Sequence, residues 1–300
     1  MNTGVWPRIA VMGAGAVGCY YGGMLARAGA PVTLIGRPKH VEAINRKGLL
    51  IETAQSQWQI PVAASADVAA VGEAEVVLFC VKNIDTEDAA RHMAPHLKHG
   101  ATVLSLQNGV DNAERIRTAT GIAAMPAAIY VAVAMAGPGH VRHSGRGDLI
   151  VENGQLAQMF NTANIPCAVS GNIEGELWTK MILNCAYNPI SALTRSRYER
   201  ILGNSWTRDL MVLVVAEGVA VARAAGVRLP STDMVGDAIK LGEAMGEATS
   251  STAQDIARGK RTEIDAFNGY VARRGAELGV STPVNRTLHA LVKLLEETAS

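Results

Sequence analysis

Residues 8–19 run Arg8-Ile9-Ala10-Val11-Met12-Gly13-Ala14-Gly15-Ala16-Val17-Gly18-Cys19, a short apolar strand that leads into a GxGxxG turn. A helix is predicted directly after it, over Cys19–Ala28. The hexapeptide alone is a weak signal, because 30 of the 300 residues are glycine. Its place between a strand and a helix is what a dinucleotide-binding fingerprint requires. Gly13 permits the tight turn, Gly15 lets the backbone approach a pyrophosphate, and Gly18 lets helix and strand pack closely. The helix N-terminus then faces the phosphate charge. Gly13, Ala14, Gly15, Ala16, Val17 and Gly18 are therefore candidate cofactor contacts.

Outward from this turn, Val32–Ile35, Val76–Val81 and Thr102–Leu106 are further apolar runs, with a helix near Lys39–Lys47. Continuous apolar strands separated by helices imply a parallel sheet covered on both faces. Leu49–Glu52 and Gln59–Ala63 read as short strands around a turn. Ala127–Ala134, Gly139–His143 and Asp148–Val151 read as further, antiparallel strands. After about Ser170 the pattern becomes helical: Ile173–Leu193, Trp206–Ala225, Asp233–Gly246, Glu263–Leu278 and Asn285–Glu297. The expected architecture is an α/β Rossmann-type dinucleotide-binding domain over residues 1–170, then an all-α substrate and catalytic domain over 171–300. Two domains also match 300 residues at about 150 residues per domain.

Composition narrows the function classes. Hydrophobic residues make up 48% and charged residues 18%, the balance of a folded chain. Lys plus Arg number 28 against 27 for Asp plus Glu, so no general field draws nucleic acid or an anionic membrane. An aromatic content of 4% offers no base-stacking platform. The charge-free stretches Ile9–Ala26 and Thr118–Val141 are interrupted by glycines or prolines, and neither reads as a membrane span. Cys19, Cys80, Cys167 and Cys185 show no CxxC spacing and read as free thiols in a reducing cytoplasm. His92, His96 and His99 fall at helical spacing, but Pro95 interrupts them and no carboxylate completes a set, so no metal site is expected.

The end of the second strand chooses between nicotinamide cofactors. An acid there would accept from the ribose 2′-hydroxyl of NAD. This chain has Gly36-Arg37-Pro38-Lys39-His40 instead, and its first acid is Glu42. Arg37 can pair with a 2′-phosphate, so NADPH is the expected cofactor. Two more clusters, Val81-Lys82-Asn83 and Gln107-Asn108-Gly109, fall at carboxyl ends of predicted strands, where open α/β sheets bind ligands. Lys82 is a candidate cofactor contact, and Asn108 a nicotinamide or substrate contact.

In the helical half, Lys180, Asn184 and Asn188 recur every four residues and form one stripe on a helix. Trp178, Met181, Ile182, Leu183 and Ala186 around them are apolar, so the helix is expected to be buried and its polar stripe to need partners. Pro189 is expected to distort it near Asn188 and free backbone groups toward a site. Ketone reduction needs a hydride donor, a proton donor for the developing alkoxide, and substrate anchors. A desolvated lysine can give that proton, because burial lowers an ammonium's pKa. Glu263, in the segment Arg261–Asp265, is a candidate to accept a hydroxyl proton or to tune a lysine, and Ser251, in Ser250–Asp255, to bind a carboxylate.

Taken together, these residues resemble the ketopantoate reductase (2-dehydropantoate 2-reductase) family nearly end to end. The marks are GAGAVG with Cys19-Tyr20-Tyr21-Gly22-Gly23, Val81-Lys82, Gln107-Asn108-Gly109, and Trp178-Thr179-Lys180 through Asn188-Pro189. SSTAQD at 250–255, RTEID at 261–265 with Asn268-Gly269, and Thr282-Pro283-Val284-Asn285 complete them. The resemblance implies NADPH-dependent reduction of 2-dehydropantoate to (R)-pantoate, a step toward pantothenate and coenzyme A. It implies that Lys180 is the catalytic lysine, which donates the proton or polarises the ketone, and that Glu263 is a second catalytic residue, which holds the substrate hydroxyl and also contacts the cofactor. By the same resemblance Asn184, Asn188 and Ser251 contact substrate, Asn108 lies near the nicotinamide and reacting carbon, and Arg37 and Lys82 meet cofactor phosphates. It also implies a helical second domain with the active site in the cleft between domains. Thr252-Ala253 departs from the large apolar pair the family often has there. A β-hydroxyacid dehydrogenase, another NADP-dependent 2-oxo acid reductase and a non-catalytic NADPH sensor are the competing readings. The partner is a small 2-oxo acid, and the apolar helical half would suit a homodimer.

Overall fold

The computed structural model describes residues 6–298. The outermost parts of the two expected halves, residues 1–5 and 299–300, lie outside the described residues. The chain divides into one compact unit of residues 1–107 and 111–173 and another of residues 108–110 and 174–300.

The first unit is α/β, as the sequence predicts. Its elements are β1 (Ile9–Met12), α1 (Ala16–Arg27), β2 (Val32–Ile35), α2 (Pro38–Lys47), β3 (Leu49–Glu52), β4 (Gln57–Ile60), β5 (Ala63–Ser65) and β6 (Val76–Phe79). They continue with α3 (Thr86–Met93), β7 (Thr102–Ser105), α4 (Asn112–Thr120), β8 (Met125–Pro126), β9 (Ala128–Gly137), β10 (His140–Val151), α5 (Gly154–Thr162) and β11 (Cys167–Val169). One sheet has the order β5-β2-β1-β6-β7-β8, and each neighbouring pair is parallel. The chain runs outward on one side of β1 through β2 and β5, then resumes on the other side at β6. That places the topological switch point, where such sheets bind ligands, between β1 and β6.

A second sheet, β11-β10-β3-β4 with β9 paired to β10, is not legible in the sequence as a separate layer. The two predicted runs Gly139–His143 and Asp148–Val151 are one strand, β10, kept in register with β9 by irregularities near His143/Gly145 and Arg146/Asp148. The predicted strand Gln59–Ala63 is really two, with β4 in the second sheet and β5 in the first. Pro61 between them cannot donate to a ladder and marks the change of sheet. α1 lies between the two layers. A Cβ on Gly22 would meet Leu34 at 2.7 Å and Val11 at 2.8 Å; one on Gly23 would meet Leu49 at 2.6 Å and Ile51 at 2.7 Å. These two glycines serve sheet–helix–sheet packing rather than the turn that precedes them.

The second unit carries α6 (Ile173–Thr194), α7 (Tyr198–Gly203), α8 (Ser205–Ala224), α9 (Met234–Ala244), α10 (Ser251–Ala257), α11 (Asn268–Glu277) and α12 (Pro283–Thr298). Its core gathers Met181, Ile182, Cys185, Tyr187 and Ile190 of α6 with Val214 and Val215 of α8 and Phe267, Val271 and Leu288. α6 continues through Pro189. Proline removes the N–H that would bond the carbonyl of Cys185, and Asn268 Nδ2 donates to that oxygen at 3.2 Å. The freed group is thus satisfied inside the core. Asn268 Nδ2 also donates to Asn285 Oδ1 (2.9 Å), while Glu217 accepts from the N–H groups of Val284 and Asn285 at the start of α12 (both 2.8 Å). The predicted helix Glu263–Leu278 is broken: a short turn over Ile264–Ala266 ends at Phe267, whose backbone is neither helical nor extended. The break leaves Glu263 outside any α-helix.

Among the described residues no helix is long and apolar enough to cross a membrane, and no cluster of three His, Cys, Asp or Glu could hold a metal ion. All four cysteines are free, and burial raises each thiol, Cys167 to about 11 and Cys19 to about 12.

Candidate active site

In the first unit, the turn after β1 is shaped by backbone. Gly13 and Ala14 both donate to the carbonyl of Ile35 at the end of β2 (3.0 and 2.8 Å). Gly13 has φ +109°, and a Cβ on it would stand 2.8 Å from backbone atoms of Cys80 and Val81. A Cβ on Gly18 would stand 2.1 Å from the carbonyl oxygen of Gly13. Gly15 differs: it is exposed, and a Cβ there would meet nothing within 4 Å. It is the N-cap of α1, provides no side-chain cap, and no acid occupies the first turn. The leading N–H groups of a 12-residue helix are thus open to an outside acceptor. Helix dipole, open glycine and switch point together fit the pyrophosphate of a dinucleotide.

Arg37 is the N-cap of α2, exposed and followed by Pro38 at the first helical position, with no acid at the end of β2. Lys82 is exposed one residue beyond Val81, whose backbone packs on Gly13. Ala14 and Gly18 are buried, and Ala16 and Val17 half-buried.

In the second unit, three residues far apart in sequence are joined. Asn108 belongs to the short segment 108–110 that groups with the helices. Lys180 Nζ donates to Asn108 Oδ1 at 2.7 Å, and Asn108 Nδ2 donates to Glu263 Oε2 at 2.9 Å. Accepting from an ammonium and donating to a carboxylate, the amide has one orientation that satisfies both neighbours. Along α6 the polar stripe sinks into the core: Lys180 and Asn184 are half-buried, and Asn188 is 1% exposed. The Nδ2 of Asn188 is buried without a hydrogen-bond partner, as is Oγ1 of Thr252. Unsatisfied buried polar groups are costly and call for an explanation, and a ligand or water is the usual one.

Ser250 caps α10 by accepting from the N–H of Ala253 (3.0 Å) and donates to the carbonyl of Asn188 (3.2 Å). Ser251, the predicted carboxylate contact, is exposed at the first position of that helix. Glu263 is flanked by two tethers that sequence reasoning missed. Glu296 of α12 accepts from both N and Oγ1 of Thr262 (2.6 Å each). Asp265 meets His289 Nε2 at 2.7 Å and Lys293 Nζ at 3.0 Å. The His289 hydrogen bond, with help from Lys293, holds the Asp265 carboxyl well below the usual carboxylate range. The signal for this clamp is the spacing of His289, Lys293 and Glu296, four and three residues apart on one helix face.

Comparison with known proteins gives the same picture across both units. The family model described as "Ketopantoate reductase PanE/ApbA" matches residues 9–155, and its C-terminal counterpart matches residues 172–296. A 2-dehydropantoate 2-reductase of Pyrococcus horikoshii is 35% identical, covering 96% of this chain and 97% of that one. A PanE/ApbA family ketopantoate reductase from Ralstonia eutropha is 51% identical with a TM-score of 0.93, covering 97% of this chain and 99% of that one. D-mandelate dehydrogenase with NADH and anilino(oxo)acetate superposes with a TM-score of 0.90 over 97% of this chain and 99% of its own. At 24% identity that last likeness concerns the fold alone.

Proposed function

The chain belongs to the ketopantoate reductase family, and from that membership we propose that it reduces 2-dehydropantoate to (R)-pantoate with NADPH. The observation that carries the reading is the hydrogen-bonded chain Lys180–Asn108–Glu263. It aligns a proton donor, a polar orienter and a carboxylate, which is what reduction of a hydroxylated 2-oxo acid needs. The match over both units favours this reaction over a β-hydroxyacid dehydrogenase or a cofactor sensor.

Gly13 to Gly18 would hold the pyrophosphate, and Arg37 and Lys82 would meet the other phosphates, Arg37 selecting NADPH over NADH. Bound there, NADPH supplies a hydride for the carbonyl carbon. Lys180 gives a proton to the carbonyl oxygen as negative charge develops on it. Asn108 keeps Nζ of Lys180 aimed while that bond is exchanged. Glu263 accepts from the substrate hydroxyl, and Asn184, Asn188 and Ser251 bind the remaining polar groups. The unpartnered Nδ2 of Asn188 supports this role, since a substrate oxygen would satisfy it.

We place the enzyme in the cytoplasm, where four free thiols persist. Trp206 and Leu213 on α8 and Leu291 and Leu294 on α12 stay exposed, which supports a homodimer. The test is the initial rate of NADPH oxidation with 2-dehydropantoate, run beside NADH. Turnover with NADPH and weak use of NADH is the expected result. Binding of NADPH without turnover of this ketone would move the assignment to another 2-oxo acid.

A further inference from the structure

Gln107 precedes Asn108 at the end of β7 and is 5% exposed. Its amide makes three hydrogen bonds, all within the first unit. Its Nε2 donates to the carbonyl of Val81 (3.0 Å) and to Thr86 Oγ1 (2.8 Å), while its Oε1 accepts from Ser105 Oγ (3.0 Å). Thr86 Oγ1 passes the network on to Asn112 Oδ1 (3.3 Å). Arg115 then completes it, donating through Nη2 to the carbonyl of Asn83 (2.7 Å) and clamping Glu87 with Nε and Nη2 (2.7 Å each).

The carbonyls on either side of Lys82, those of Val81 and Asn83, are therefore each tied by a side chain, Gln107 just beyond β7 and Arg115 of α4. Neither bond belongs to a helix or strand ladder. The carbonyl of Asn83 also accepts from the N–H of Thr86, whereas that of Val81 has its tie from Gln107; without such ties the segment would let an exposed lysine wander. We infer that Gln107 and Arg115 are positioning residues, which hold the backbone at 81–83 so that Lys82 presents its ammonium to a cofactor phosphate. The inference rests on the proposed role of Lys82 and adds to it a built support that the family match does not supply.

The experiment is a titration of NADPH by fluorescence in four proteins: wild type, Lys82→Ala, Gln107→Met and the double variant. Lys82→Ala and Gln107→Met should each weaken binding about tenfold, the scale of one lost polar contact. The double variant should bind no worse than Lys82→Ala, because Gln107 acts through that lysine. Single effects that multiply to about a hundredfold overturn the inference, since Gln107 then acts elsewhere. If Lys82→Ala alone leaves binding unchanged, the cofactor role of Lys82 fails and the inference falls with it. That outcome is read from a variant that leaves Gln107 intact, so the two failures are told apart. Should Gln107→Met not fold, Arg115→Gln breaks the other tether from a partly exposed position and completes the same cycle.

Discussion

Six consecutive residues, Gly13 to Gly18, make the proposed cofactor turn, whereas the Lys180–Asn108–Glu263 chain spans sequence separations of 72 and 155 residues. The turn works through backbone shape, and its requirements are steric: a positive φ at Gly13, open space at Gly15 and close packing at Gly18. The chain of side chains works through hydrogen bonding and depends on three separate segments arriving together. A site of the first kind is written locally and tolerates no added atoms. A site of the second kind tolerates changes of shape but not loss of a functional group.

The largest test of that contrast is Lys180→Ala. Removing a positioned general acid should lower turnover by about 10²–10⁴. NADPH affinity, which the proposed phosphate contacts assign mainly to the other unit, should stay within about twofold of wild type, a difference of only about 0.4 kcal/mol. Single-turnover rates and a cofactor titration on the same protein check both halves. A variant that lost cofactor binding as well would show that the two sites are not separable.

Next in size is the choice of cofactor. Arg37→Ala should reduce the preference for NADPH over NADH by about one to two decades, the range of a charged hydrogen bond of about 1.5–3 kcal/mol. Comparing kcat/KM for the two cofactors gives the answer. An unchanged ratio would remove Arg37 from 2′-phosphate recognition and point to Lys39 or His40 in the same turn.

How much of this was legible follows from the same contrast. The glycine turn and its flanking strands could be read because strand, turn and helix are contiguous. The stripe Lys180, Asn184, Asn188 could be read because helical periodicity places residues four apart on one face. The joining of Lys180 to Asn108 and of Asn108 to Glu263 could not, since no local pattern records a contact between distant segments. The second sheet escaped because β3, β4, β9, β10 and β11 are scattered through residues 49–169 and pair out of chain order. The predicted helix from Glu263 failed at Phe267 because side-chain tethers to Glu296, His289 and Lys293 outweigh local helical propensity.

The glycines themselves offer a paired test. Gly18→Ala places a Cβ against the carbonyl of Gly13, so the turn must shift, at about 1–3 kcal/mol of stability. Gly15→Ala meets nothing in the protein and should leave the melting temperature unchanged, yet it puts a methyl at the proposed pyrophosphate site. Its expected signature is NADPH binding weakened by about tenfold or more at wild-type stability. Equal behaviour of the two variants in both assays would break the steric account of the turn.

The smallest expected effect concerns the clamp beside Glu263, where side chains do the work that backbone does at Gly13. Asp265 is held below the usual carboxylate range by its His289 hydrogen bond, with Lys293 adding to it. A carboxylate depressed in the folded state contributes stability that is fully present above its unfolded pKa of about 3.9. That contribution is lost as pH falls from there toward the folded value. The side chain is 57% exposed, so solvent screening leaves only about 0.5–1 kcal/mol. Asp265→Asn should therefore melt about 1–2 °C below wild type at pH 5, with the gap narrowing as pH drops below about 3.9. A gap that stayed constant over that range would mean that the clamp holds the turn by packing alone. Glu296, whose carboxylate binds both N and Oγ1 of Thr262, would then be the residue that keeps Glu263 in place.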